Sequence, residues 1–180
     1  WDDDIDIMML RKDYEIFAEV ANLELPKELI FRSLKEDNSN GELVSSVQHK
    51  EMLISSDAIG KYHNYLYGAG VDIFPYDFLS DNPEKERQRM ELLKSLCILA
   101  SFPSIDGDNR VVLEEEAKKV EKISKVELLH SPHYRSKVLK LLANCLQQFN
   151  QDGGSKISSL LDFIIYQGQG KGIFDVQWYK

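Results

Sequence analysis

Between Ser131 and Ile165 the apolar residues recur twice at helical intervals, and no other feature limits the possible folds of this chain as strongly. Ser131-Pro132 supplies a cap and a first-turn proline. Val138, Leu141, Leu142, Cys145, Leu146 and Phe149 then follow at steps of three and one, which puts them on one helix face. Asp152-Gly153-Gly154 interrupts, and Ile157, Leu160, Leu161, Ile164 and Ile165 repeat the steps before Gly168 ends them. Two such helices joined by a few residues make an αα-hairpin. Stacked hairpins of that kind build solenoids with long surfaces for partners.

Upstream segments read in the same way. Ile5, Met9, Ile16, Phe17 and Val20 predict a helix over Ile5–Leu23, with Asp2 to Asp4 at its positive end. Pro26 opens a second, PKELIFRSLKE, which the turn residues of DNSNG close. ELVSSVQHKEMLISS fits either a helix or two short strands, and helix is the expectation. Ser56-Asp57 caps a further helix through KYHNYLYG, stopped at Gly68. VDIFPYDFLSD reads as an irregular connection, because Pro75 interrupts it. Asn82-Pro83-Glu84 begins a helix that runs to about Phe102. Another spans Leu113 to Leu129, with Leu113, Ala117, Val120 and Ile123 on one face. Phe174, Val176 and Trp178 alternate as in a strand. The expected fold class is therefore all-α: an irregular helical bundle, or a short helical-repeat (αα-hairpin, solenoid-like) domain, of about seven helices. Residues 1–180 are expected to form one domain, and the initial Trp1 suggests a piece of a longer chain.

Composition narrows function by exclusion. Apolar residues at 43% and charged residues at 29% are globular proportions. A net charge of −8 and a pI near 5.0 disfavour a broad nucleic-acid footprint. No apolar run reaches membrane length. WDDDIDIMML carries acid where a secretory leader carries base, so an intracellular location, cytoplasmic or nuclear, is expected. Cys97 and Cys145 sit in apolar runs, where a reduced cysteine behaves as a small hydrophobe.

Ser104 to Glu115, SIDGDNRVVLEE, resembles the calcium loop of the EF-hand family. With Ser104 first, Asp106 falls third, Asp108 fifth, Val111 eighth and Glu115 twelfth. The resemblance implies metal ligation by Asp106, Asp108 and Glu115, although Ser104 replaces the leading Asp and Asn109 the usual Gly. Two other stretches, Asn150 to Leu161 and Glu36 to Val47, share the polar pattern but end on an apolar residue in place of the bidentate carboxylate. Asp106-Gly107 followed by VVLEEE is also similar to a turn in helical domains of the tellurite-resistance type, a likeness confined to that turn.

The motifs of hydrolytic and nucleotide chemistry are missing. There is no HExxH or GxSxG, and His130 and His133 in HSPH flank a proline at a helix start. GQGKG lacks phosphate-loop spacing and reads as a connector. Lys118, Lys119, Lys122 and Lys125 are interleaved with Glu114 to Glu116 and Glu121, the pattern of a solvated face. The leading expectation is a non-enzymatic interaction module, without cofactor, that binds another protein, with Phe174, Trp178 and Tyr179 as candidate contacts. The alternatives are an EF-hand-like regulatory domain and a nucleic-acid-associated domain using the four lysines.

Overall fold

The computed structural model describes residues 5–33, 45–54, 67–102, 104–160, 162–163 and 172–179. In chain order the elements are strand β1 (Asp6–Leu10), helix α1 (Arg11–Glu24), and strands β2 (Leu29–Arg32), β3 (Ser45–Ile54) and β4 (Tyr67–Phe78). Helices α2 (Pro83–Ala100), α3 (Arg110–Ser124) and α4 (Tyr134–Leu146) follow, then strands β5 (Lys156–Ser159) and β6 (Ile173–Asp175). The all-α expectation is overturned. The protein is mixed α/β, with a 6-stranded sheet beside its helices.

β4 explains both the sheet and the misreading. Asp72 and Ile73 pair with β1 as well as β3, and Tyr76 pairs with β1 as well as β5. A strand residue has one neighbour on each side, so β1 lies along one edge of β4. Antiparallel β3 and β5 follow each other along the opposite edge. The Asp72 amide donates to Ile5 on the β1 edge, and alternation therefore points the nitrogen of residue 75 the other way. Among the described residues the β3 ladder reaches Ile73 and the β5 ladder begins at Tyr76. Pro75 thus lies in the gap between them, where its missing N–H costs no ladder bond. Both faces of this strand carry apolar residues, which erases the alternation that would have announced it.

Four segments read as helix contain strands, the first being Asp6–Leu10, where the helix expected over Ile5–Leu23 is strand β1 and helix begins only at Arg11. Pro26-Lys27 leads into β2, and ELVSSVQHKEMLISS contributes β3. On β3 the buried Ser45, Ser46 and Gln48 break the apolar pattern that marks a half-buried strand. Ile157 lies in β5, which pairs with β4 and β6, so the expected terminal αα-hairpin does not form. Asp152-Gly153-Gly154 is instead the turn from α4 into the sheet. Gly153 has φ of 69°, and a Cβ on Gly154 would stand 2.3 Å from the Leu79 carbonyl oxygen. A larger residue at Gly154 requires backbone movement, and one at Gly153 is strained by the left-handed conformation.

The expected helices at Asn82, Leu113 and Ser131 do form, as α2, α3 and α4. Asn82 caps α2 by accepting the Glu84 and Lys85 amides at 3.0 and 3.1 Å. Their facing residues make the larger core, which includes Leu93, Leu96, Leu113, Val120, Leu139 and Leu142. A smaller core joins Tyr14 and Ala21 of α1 to Phe31 of β2 and Ile73 of β4. The helix expected through KYHNYLYG and the connector GQGKG lie largely outside the described residues, as does most of the stretch from Glu36 to Val47.

Candidate functional site

Helix α1 is apolar on two opposite faces. Tyr14 and Ala21 are buried in the smaller core, with Phe17 and Ala18 packed against it. On the far side Ile16, Val20 and Leu23 stand at i, i+4 and i+7, exposed by 56%, 42% and 82%. Scattered exposed aliphatics are ordinary on a protein surface, whereas three in one helical stripe are the spacing of a docking face. Lys12, Asp13, Glu19 and Glu24 are exposed around it.

The position of α1 is held by a buried charge cluster. Asp77 on β4 is fully buried and accepts two hydrogen bonds from Arg11, Nε at 2.9 Å and Nη2 at 2.8 Å. Asn150 donates to the same carboxylate at 2.6 Å and accepts the Phe78 amide at 2.8 Å. The β1 ladder stops at Leu10 opposite Tyr76. Phe78 carries the next amide on that edge, and Asn150 satisfies it where no strand is present. One cluster therefore ties the start of α1 to β4 and to the turn after α4. Sequence reasoning missed it because Arg11, Asp77 and Asn150 are far apart in the chain.

A second feature is a cleft of about 860 Å³ between α2, α3 and the turn after α4. Lys85, Arg89, Ser95, Lys119, Gln148 and Asp152 are among its lining residues. Glu116 binds Lys119 at 2.6 Å. Burial pushes the Glu116 carboxyl up, but hydrogen bonds from Lys119 and Ser95 outweigh this and hold it below its ordinary value.

The C-terminal candidates are placed in part. Phe174 lies on β6, 39% exposed, with its ring 5.8 Å from that of Tyr76. Trp178 and Tyr179 belong to a 3-10 turn, Val176–Tyr179, and their side chains lie outside the described residues.

The calcium-loop residues are not gathered. Gly107–Asn109 is a 3-10 turn and α3 begins at Arg110, so the second half of the twelve-residue stretch is helix. Asp106, Asp108 and Glu115 are exposed, and Ser104 Oγ donates to Asp106 at 2.8 Å. Among the described residues no group of three His, Cys, Asp or Glu side chains could hold a metal ion.

Lys118 and Lys122 are exposed on α3 and Lys125 is exposed at its C-cap, whereas Lys119 turns towards Glu116. Cys97 and Cys145 are free thiols, the latter buried. Burial pushes them up to about 12 and about 11 respectively, which suits packing rather than reactivity. Among the described residues no helix is long and apolar enough to cross a membrane.

No protein-family model matches the chain, and no curated protein or solved structure matches it either.

Proposed function

We propose that this protein is a non-enzymatic interaction module that docks a partner protein on the outer face of α1. The observation that carries the reading is the exposed stripe Ile16, Val20 and Leu23 on a helix whose opposite face is already buried. A second apolar face has no work to do inside this fold. Apolar side chains at i, i+4 and i+7 are what an amphipathic helix or a hydrophobic groove of another protein recognises. The exposed charges around the stripe supply the polar rim of such an interface. Phe174, on the edge strand β6, is the competing contact.

The test uses the chain as bait, with Ile16, Val20 and Leu23 all changed to Ser and, separately, Phe174→Ala. The reading expects the triple variant to melt like the parent and to lose the proteins that the parent retains from extract, while Phe174→Ala keeps them. If the triple variant retains the same proteins, docking occurs elsewhere. If Phe174→Ala alone loses them, the site is the β6 edge.

A further inference from the structure

The floor of the cleft contains a charged group that the protein satisfies only in part. The Arg89 side chain is 1% exposed. Its Nε donates to Glu86 Oε2 at 3.0 Å, and Nη2 donates to Glu86 Oε1. Glu86 is fixed in turn by the Ser80 amide at 3.0 Å. The guanidinium is therefore clamped along one edge. The remaining nitrogen, Nη1, is buried and has no acceptor among the described residues. An orphaned buried donor costs about 1–3 kcal/mol, and more when it is charged. Any acceptor brought to Nη1 recovers that cost.

Arg89 borders two spaces. One is a small pocket of about 20 Å³, which also touches Leu79, Met90, Ser158 and Ile173. That is room for one water molecule and too little for an oxyanion. The other is the cleft of about 860 Å³, the size of a small-molecule site. Lys85 lies one turn before Arg89, exposed on the same cleft, with no side-chain partner among the described residues. Ser95, Gln88 and Gln148 add neutral polar groups. Two acidic residues also line it: Glu91, which Arg87 engages at 2.5 Å, and exposed Asp152.

We propose that the cleft binds a compact oxyanion, a carboxylate or a phosphate group, anchored at its floor by Arg89 Nη1 and at its rim by Lys85. Two oxygens on one centre match the geometry of guanidinium N–H donors. Glu86 holds the Arg89 head, so little side-chain entropy is lost on binding. Nη1 is closed off from bulk solvent, so binding requires the side chains that cover it to move aside. Asp152 disfavours dense negative charge and limits the ligand to a single anionic group.

The test is an amide and arginine Nε–H NMR titration of the whole chain with inorganic phosphate and, separately, acetate, at constant ionic strength. The expected result is saturating shifts at Arg89 Nε, Gln88, Ser95 and Gln148. In Lys85→Ala, an exposed site whose loss leaves the melt unchanged, the affinity should fall about two- to fivefold, the worth of one exposed charge contact. The tighter of the two probes then identifies the ligand group as phosphate or carboxylate. The proposal is overturned if neither anion gives saturating shifts at these residues, as when one water in the small pocket is all that Nη1 requires. It is equally overturned if the shifts lie elsewhere, or if Lys85→Ala leaves the affinity unchanged.

Discussion

Asp77 is a buried carboxylate whose neighbours account for its charge. Arg11 meets both of its oxygens and Asn150 adds a third donor, so it is paired and hydrogen-bonded within a cluster shared by three segments. Buried pairs are poor evidence of net stability, but removing one partner leaves an uncompensated charge. Arg11→Ala should therefore lower unfolding stability by about 3–5 kcal/mol in urea denaturation. A loss below about 1 kcal/mol would place the pair in the surface class. The buried thiols give a pH signature. The fold holds Cys97 and Cys145 neutral, up to about 12 and about 11, against an ordinary value of 9.0. Their contribution is complete below pH 9 and is lost as pH rises through 9 towards 12, because the unfolded chain ionises first. Urea midpoints taken between pH 8 and pH 11 should fall, and fall less steeply in the double Cys→Ala variant.

Helix ends and strand gaps decide how much of each element could be read in advance. The cap and first-turn proline at Asn82-Pro83 worked because the backbone physics there is local, whereas α4 begins at Tyr134, beyond the Ser131-Pro132 start that the sequence offered. The strands failed for the opposite reason, since β3 and β4 owe their form to neighbours distant in sequence. Pro75 illustrates this. It reads as a strand breaker until the register shows that its missing amide faces the gap between two ladders. The cleft was equally illegible, since nothing in PEKERQRMELL marks Arg89 as buried among exposed charges. At the C-terminus of α3, Lys125 has φ of 60°, a left-handed position held by a residue with a side chain. Lys125→Gly should raise stability by about 0.5–1 kcal/mol, visible as a higher urea midpoint. No gain would mean that the hydrogen bond from Lys125 Nζ to the Lys122 carbonyl offsets the strain.

At the scale of the molecule, α1 packs one apolar face against the sheet and leaves a second one exposed. Its inner face builds the smaller core, and the cluster at Arg11, Asp77 and Asn150 holds it in place, so its outer stripe is presented on a rigid support. The sequence did show Ile16 and Val20 in helical register, but it could not show that Tyr14, Ala18 and Ala21 would already cover the sheet. The most direct measurement is site-specific photo-crosslinking in cell extract, with a benzophenone amino acid in place of Val20 and, as control, of the exposed Lys94 on α2. The account expects a discrete covalent adduct from position 20, none from position 94, and loss of the adduct when Ile16 and Leu23 are changed to Ser. Equal labelling from both positions, or an adduct unaffected by those changes, would contradict the assignment of α1 as the docking face.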